Sequence, residues 1–157
     1  MSDLDALRTL LELRRRREQR AGEVAGRRRA AAASAAIAVE QTTAALARHD
    51  DATLALQRSH HLGLVDQPFS LAALEWLRRE VMVAAAARLD LEAATQAAGE
   101  ALSSRRREFH EAQALHRERR HSRIRLEQAC EERARQVRLR RESRLDIALD
   151  DISGRRA

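Results

Sequence analysis

The stretch His61-Leu62-Gly63-Leu64-Val65-Asp66-Gln67-Pro68-Phe69-Ser70 decides the fold, because only here in 157 residues is one helix told to stop and another to start. Gly63 can take the left-handed conformation that closes a helix C-terminus, with Leu64 behind it as the accompanying apolar contact. Pro68, the only proline, has no amide donor and biases Gln67 away from helical geometry. Ser70 then reads as an N-cap, with Phe69 and Leu74 as the apolar pair of a hydrophobic staple. One break in a chain that otherwise reads as helix makes a hairpin.

Composition points the same way. Aromatic residues are 2% of the chain and charged residues 34%, too little bulky apolar material for a thick globular core. Alanine, leucine, arginine and glutamate dominate, all strong helix formers. The expected fold class is all-α: a long, elongated two-helix antiparallel coiled-coil hairpin forming a single unit over residues 1–157. Its helices are expected over 3–62 and 71–150, with a turn at 63–70 and a fraying C-terminal tail. All 30 basic residues are arginine, and lysine, asparagine and tyrosine are absent, as in a protein from a GC-rich, bacterial genome. One cysteine, Cys130, cannot form an internal disulfide and fits a reducing compartment. The acidic start is no secretory signal, and the longest apolar run, from Ala30 to Val39, is far below the ~18 residues of a membrane span. The expectation is a soluble, cytoplasmic protein.

Helix one opens with Leu4, Leu7 and Leu11 in 3-then-4 spacing. Between Arg14 and Arg29 charge overwrites that pattern, and Gly22 and Gly26 each weaken a helix by roughly 1 kcal/mol relative to alanine, so fraying or a bend is expected there. In helix two, Leu74 and Leu77 start a heptad that continues through Val81, Ala84, Leu91, Ala98, Leu102, Phe109, Ala112, Leu126, Cys130, Val137 and Ile147. Polar exceptions fall at Arg88, Arg105, His116, Arg119 and Arg123. If residue i lies beside residue 133 minus i, Ala35 meets Ala98 and the triplet Arg27-Arg28-Arg29 meets Arg105-Arg106-Arg107. Like charges at one level repel. Residues 1–33 carry 9 arginines against 5 acids, residues 34–104 carry 5 against 9, and residues 105–157 carry 16 against 10. The half bearing both chain ends is therefore basic and the turn half acidic.

No catalytic constellation stands out, and the scattered glycines form no phosphate-cradling loop. His110, His116 and His121 lack the i, i+4 spacing of helical metal ligands, and His60-His61 read as a helix end, where a histidine can meet terminal carbonyls. No enzyme activity, cofactor or metal is read from the chain. The candidate partner-binding residues are Arg14, Arg15, Arg16, Arg17, Arg27, Arg28, Arg29, Arg105, Arg106 and Arg107, as basic belts that would dock into an acidic partner. At the tip, Phe69, Trp76 and Val83 lie on a stripe with Ala72 and Arg79. Trp76, at heptad position c, either packs over the turn on Leu64 or Val65 or anchors a partner. The reading favours the anchor, since position c points away from helix one.

The two long helices around one break, the start Leu4-Asp5-Ala6-Leu7-Arg8-Thr9-Leu10-Leu11-Glu12-Leu13-Arg14-Arg15 and the arginine- and glutamate-rich second arm together resemble the YscO/FliJ family of type III secretion. The resemblance spans nearly the whole chain and rests on pattern. It implies a monomeric central-stalk protein whose terminal arms enter the ring of the export ATPase and stimulate or couple it. The tip would meet the export gate protein, with secretion chaperones as further partners, in an injectisome rather than a flagellum. The rival reading is a basic helical nucleic-acid-binding or assembly protein, which the near absence of base-stacking aromatics disfavours.

Overall fold

The structure, a computed structural model, describes residues 3–64 and 70–154. It consists of two helices, α1 (Asp3–Leu64) and α2 (Leu71–Gly154), paired as an antiparallel hairpin, with no strand among the described residues. Helix α1 continues through Gly63 to Leu64, two residues past the expected end. Helix α2 starts at Leu71 as expected and extends to Gly154 rather than ending at 150. Ser70 caps it: its Oγ accepts the amide of Ala73 at 3.2 Å, and its carbonyl accepts those of Ala73 and Leu74 at 3.1 and 3.3 Å. One orphan donor of the first turn is thereby satisfied by the side chain. The staple with Phe69 and the cover of Trp76 by Leu64 or Val65 lie outside the described residues and side chains.

The chain divides into two compact units, residues 1–26 with 110–157 (unit 1) and residues 27–109 (unit 2). In unit 1 the covered positions of α1 are Leu4, Leu7, Leu11, Arg14, Glu18, Ala21 and Ala25, a 3-4 alternation with no missed step. The expected interruption by charge is absent. Arg14 and Glu18 occupy seam positions, α1 runs unbroken past Gly22 and Gly26, and Ala21 and Ala25 are the buried residues of this core. Aliphatic stems of long polar side chains can fill a seam while their heads reach partners. The opposing positions on α2 are Ala112, His116, Arg119, Arg123, Leu126, Cys130 and Val137, all half-buried, in the heptad register read from the sequence. That register does not extend to Ile147, which is exposed.

Unit 2 repeats the device with smaller side chains. Ala32, Ala35, Val39, Thr42, Leu46, His49 and Thr53 are half-buried at the same 3-4 spacing, and Leu77, Ala84, Leu91, Thr95, Ala98, Leu102 and Phe109 are half-buried on α2. A seam of alanine brings helix backbones close but covers little apolar area, so alternation rather than depth marks this core.

The pairing register differs from expectation by about one helical turn of 3.6 residues. In unit 2, Arg28 meets Glu108, Asp50 meets Arg88 and His60 meets Trp76, pairs whose numbers add to 136, 138 and 136 instead of 133. In unit 1, Gly22 lies against His116 and Arg14 against Ser122, adding to 138 and 136. Ending α1 at Leu62 placed the mirror point too early in the chain. A slip of about one turn keeps the same faces together, so most of the α2 seam from Leu77 to Val137 holds, but Leu74 and Val81, read as seam positions, are exposed, and the opposite numbers change. Ala35 thus falls at the level of Ala101 to Ser103 rather than Ala98.

Candidate partner-binding surfaces

The arginine belts separate into members that find partners within the chain and members that meet no carboxylate among the described residues. In unit 1, Arg14 Nη1 donates to the Ser122 carbonyl at 2.8 Å and also reaches Ser122 Oγ. Arg15 Nη2 donates to Glu127 Oε1 at 2.6 Å. Arg123 lies between two carboxylates, donating to Glu18 across the hairpin and to Glu127 one turn along its own helix. Arg123 and Glu18 keep only 22% and 18% of their side chains exposed, so this network is the polar layer of the seam. The hydrogen bond from Arg15, with the field of Arg123 added, holds the Glu127 carboxyl below the usual glutamate range.

In unit 2, Glu108 accepts from Arg28 across the hairpin and from Arg105 on its own helix, the latter at 3.1 Å. The expected stacking of Arg27–29 on Arg105–107 is therefore replaced by a carboxylate bridging one arginine from each triplet. The shift of register sets Glu108 between Arg28 and Arg105, while Arg29 remains near the level of Arg107. Asp50 is held below the usual aspartate range by Arg88 Nε at 3.0 Å, and Arg88, also beside Glu92, is correspondingly raised. His49 Nδ1 lies 3.5 Å from Asp50 Oδ1 without a hydrogen bond.

Arg14, Arg15 and Arg28 thus reach across the hairpin, while Arg105 pairs within α2. Arg16, Arg17, Arg27, Arg29, Arg106 and Arg107 are exposed and meet no carboxylate among the described residues. These six are the part of the expected belts that is free to meet something else. The excess charge belongs mainly to unit 1, with 19 arginines against 14 acids, whereas unit 2 has 11 against 10.

Near the turn, Trp76 does not point away from helix one. Its ring meets that of His60 edge to face, with centroids 5.2 Å apart and planes at 67°, a favoured aromatic geometry. His60 therefore packs on an indole instead of closing the helix end. Trp76 still keeps 46% of its surface exposed, and Ala72, Arg79 and Val83 on the same stripe are exposed as well. Phe69 lies outside the described residues.

Sequence reasoning missed a second stripe on α1 of unit 1. Leu10, Leu13, Arg17, Arg20 and Val24 follow the 3-4 alternation on a flank beside the seam, and all are exposed. The spacing was legible, but the arginines at two of its five positions hid it. Beside it lies an open groove of about 320 Å³ lined by Arg17, Arg20, Ala21, Val24, Ala112, Leu115 and Arg119. Among the described residues no group of His, Cys, Asp or Glu is placed to hold a metal ion, and no helix is apolar enough to cross a membrane. Compared with protein-family models, curated proteins and solved structures, the chain matches none.

Proposed function

We propose that this chain is a non-enzymatic central-stalk protein of a bacterial type III secretion apparatus, of the YscO/FliJ kind, working in the cytoplasm at the base of an injectisome. The observation that carries the reading is the exposed, unpaired set Arg16, Arg17, Arg27, Arg29, Arg106 and Arg107 on a two-helix hairpin. Charge left unpaired inside the chain while its neighbours Arg15, Arg28 and Arg105 are paired suits an acidic surface outside it. In this reading the arginines enter the lumen of the export ATPase ring, and the stripe of Trp76 and Val83 meets the export gate protein or a secretion chaperone.

The test is ATP hydrolysis by the export ATPase of the same secretion system, with and without the purified chain. Stimulation is expected, and it falls in the variant Arg27→Glu/Arg29→Glu/Arg106→Glu/Arg107→Glu. These side chains make no ion pair among the described residues, so the variant's melting curve stays close to that of the wild type. No binding and no change in hydrolysis would refute the reading. Retention of DNA or RNA on a filter, lost in the same variant, would favour the nucleic-acid alternative.

A further inference from the structure

Apart from Arg17, the groove in unit 1 is built from residues that the stalk reading does not use. Its floor is apolar, formed by Ala21 and Val24 from α1 and Ala112 and Leu115 from α2, and its rim carries Arg17, Arg20 and Arg119. None of these three guanidinium groups meets a carboxylate among the described residues. Arg15 and Arg123, a few residues away, are each paired with glutamate. Leu10 and Leu13, both exposed, continue the stripe along α1. Five positions at 3-4 spacing present to the outside the same period that α1 presents to its own partner in the seam.

We propose that this flank of unit 1 docks an acidic amphipathic helix of a partner protein, which would lie along the hairpin as a third strand of the coiled coil. Leucine-type residues of the incoming helix would cover Leu13, Val24 and Leu115, and glutamates or aspartates flanking them would pair with Arg17, Arg20 and Arg119. The period selects a helix, because an extended peptide or a globular knob does not repeat every 3.5 residues. Charge selects an acidic one. A second copy of this chain fits poorly, since a two-fold contact would bring together two faces that carry the same three arginines. Nucleic acid fits poorly too, since it would leave Leu13, Val24 and Leu115 facing a charged backbone with no aromatic platform.

The probe is a fluorescein-labelled synthetic helix of about three heptads, with leucine at positions a and d and glutamate at e and g. Its binding to the full-length chain is followed by anisotropy. Saturable binding is expected, at least tenfold tighter than that of a scrambled peptide of the same composition or of one with lysine in place of glutamate. The variant Arg17→Glu/Arg20→Glu/Arg119→Glu should weaken it about tenfold or more, and Leu13→Asp should do likewise. Arg48→Glu/Arg58→Glu, exposed in unit 2, should leave it unchanged. Far-UV circular dichroism of every variant confirms that the helices persist. Binding no tighter than that of the scrambled peptide would overturn the proposal, as would an equal loss in the Arg48→Glu/Arg58→Glu variant. So would a concentration-dependent dimer that Arg20→Glu dissolves, which would assign the groove to a second copy. The export ATPase takes no part, so failure here leaves the stalk reading standing, and the converse holds.

Discussion

Two glycines in one helix should respond differently to the same substitution. A methyl group built on Gly26 has no atom within 4 Å, whereas one on Gly22 comes within 3.2 Å of His116 Nε2, 3.6 Å of its Cδ2 and 3.7 Å of its Cε1. At both positions alanine gains about 1 kcal/mol in helix propensity. At Gly26 nothing opposes that gain, and Gly26→Ala should stabilise by about 1 kcal/mol, a rise of roughly 2 to 4 °C in Tm for a chain of this length. At Gly22 the imidazole must move by a few tenths of an ångström. His116 is a half-buried seam position, and forcing a side chain off its rotamer costs about 0.5 to 1.5 kcal/mol. Gly22→Ala should therefore be close to neutral or mildly destabilising. The assay is urea unfolding followed by far-UV circular dichroism, for both single variants and for Gly22→Ala in a His116→Ala background. Removing the imidazole should restore the full gain of about 1 kcal/mol. Equal gains at Gly22 with and without His116 would place that histidine elsewhere and refute the register.

The polar layer of unit 1 should be worth more than the surface pairs. Arg123→Ala strands Glu18 in a seam where it is only 18% exposed, and should cost about 1.5 to 3 kcal/mol, with much of the loss shared in a double-mutant cycle with Glu18→Ala. Stability should also fall in acid. The Glu127 carboxyl is held below its ordinary value of 4.5 by Arg15, so its contribution is fully present above that pH and disappears as pH falls through the lowered folded-state value. Thermal melts across that window should show the loss in the wild type, and a smaller loss in Glu127→Gln.

The start of α2 and the seam of α2 were legible in the sequence for different reasons. Ser70 ahead of an apolar run, and one proline before it, are local signals that need no partner to be read, and the cap formed as expected. The heptad of α2 was readable because its exceptions, His116, Arg119 and Arg123, keep the period even though they break the polarity. In α1, Arg14 and Glu18 continue a seam that the charge between Arg14 and Arg29 reads as interrupting. What pairs with what could not be read from either helix alone. Small shifts of a repeating pattern by one turn preserve every face, so composition distinguishes them weakly. The deciding features are single long-range pairs such as Arg28 with Glu108 and Asp50 with Arg88. The docking stripe was hidden for a related reason, because Arg17 and Arg20 read as a charge cluster until the structure showed them without partners.

The central claim is an antiparallel pairing of α1 and α2 within one chain, in the register found in each unit. Cysteine pairs in a Cys130→Ser background test it most directly, using exposed positions that line a common groove: Val24 with Leu115 in unit 1, and Leu54 with Val81 in unit 2. A short bifunctional maleimide should join each pair within a single chain at low protein concentration, while Val24 paired with Leu139 should stay unjoined. Crosslinks that form only between chains, or that favour Val24 with Leu139, would contradict the hairpin and everything built on it.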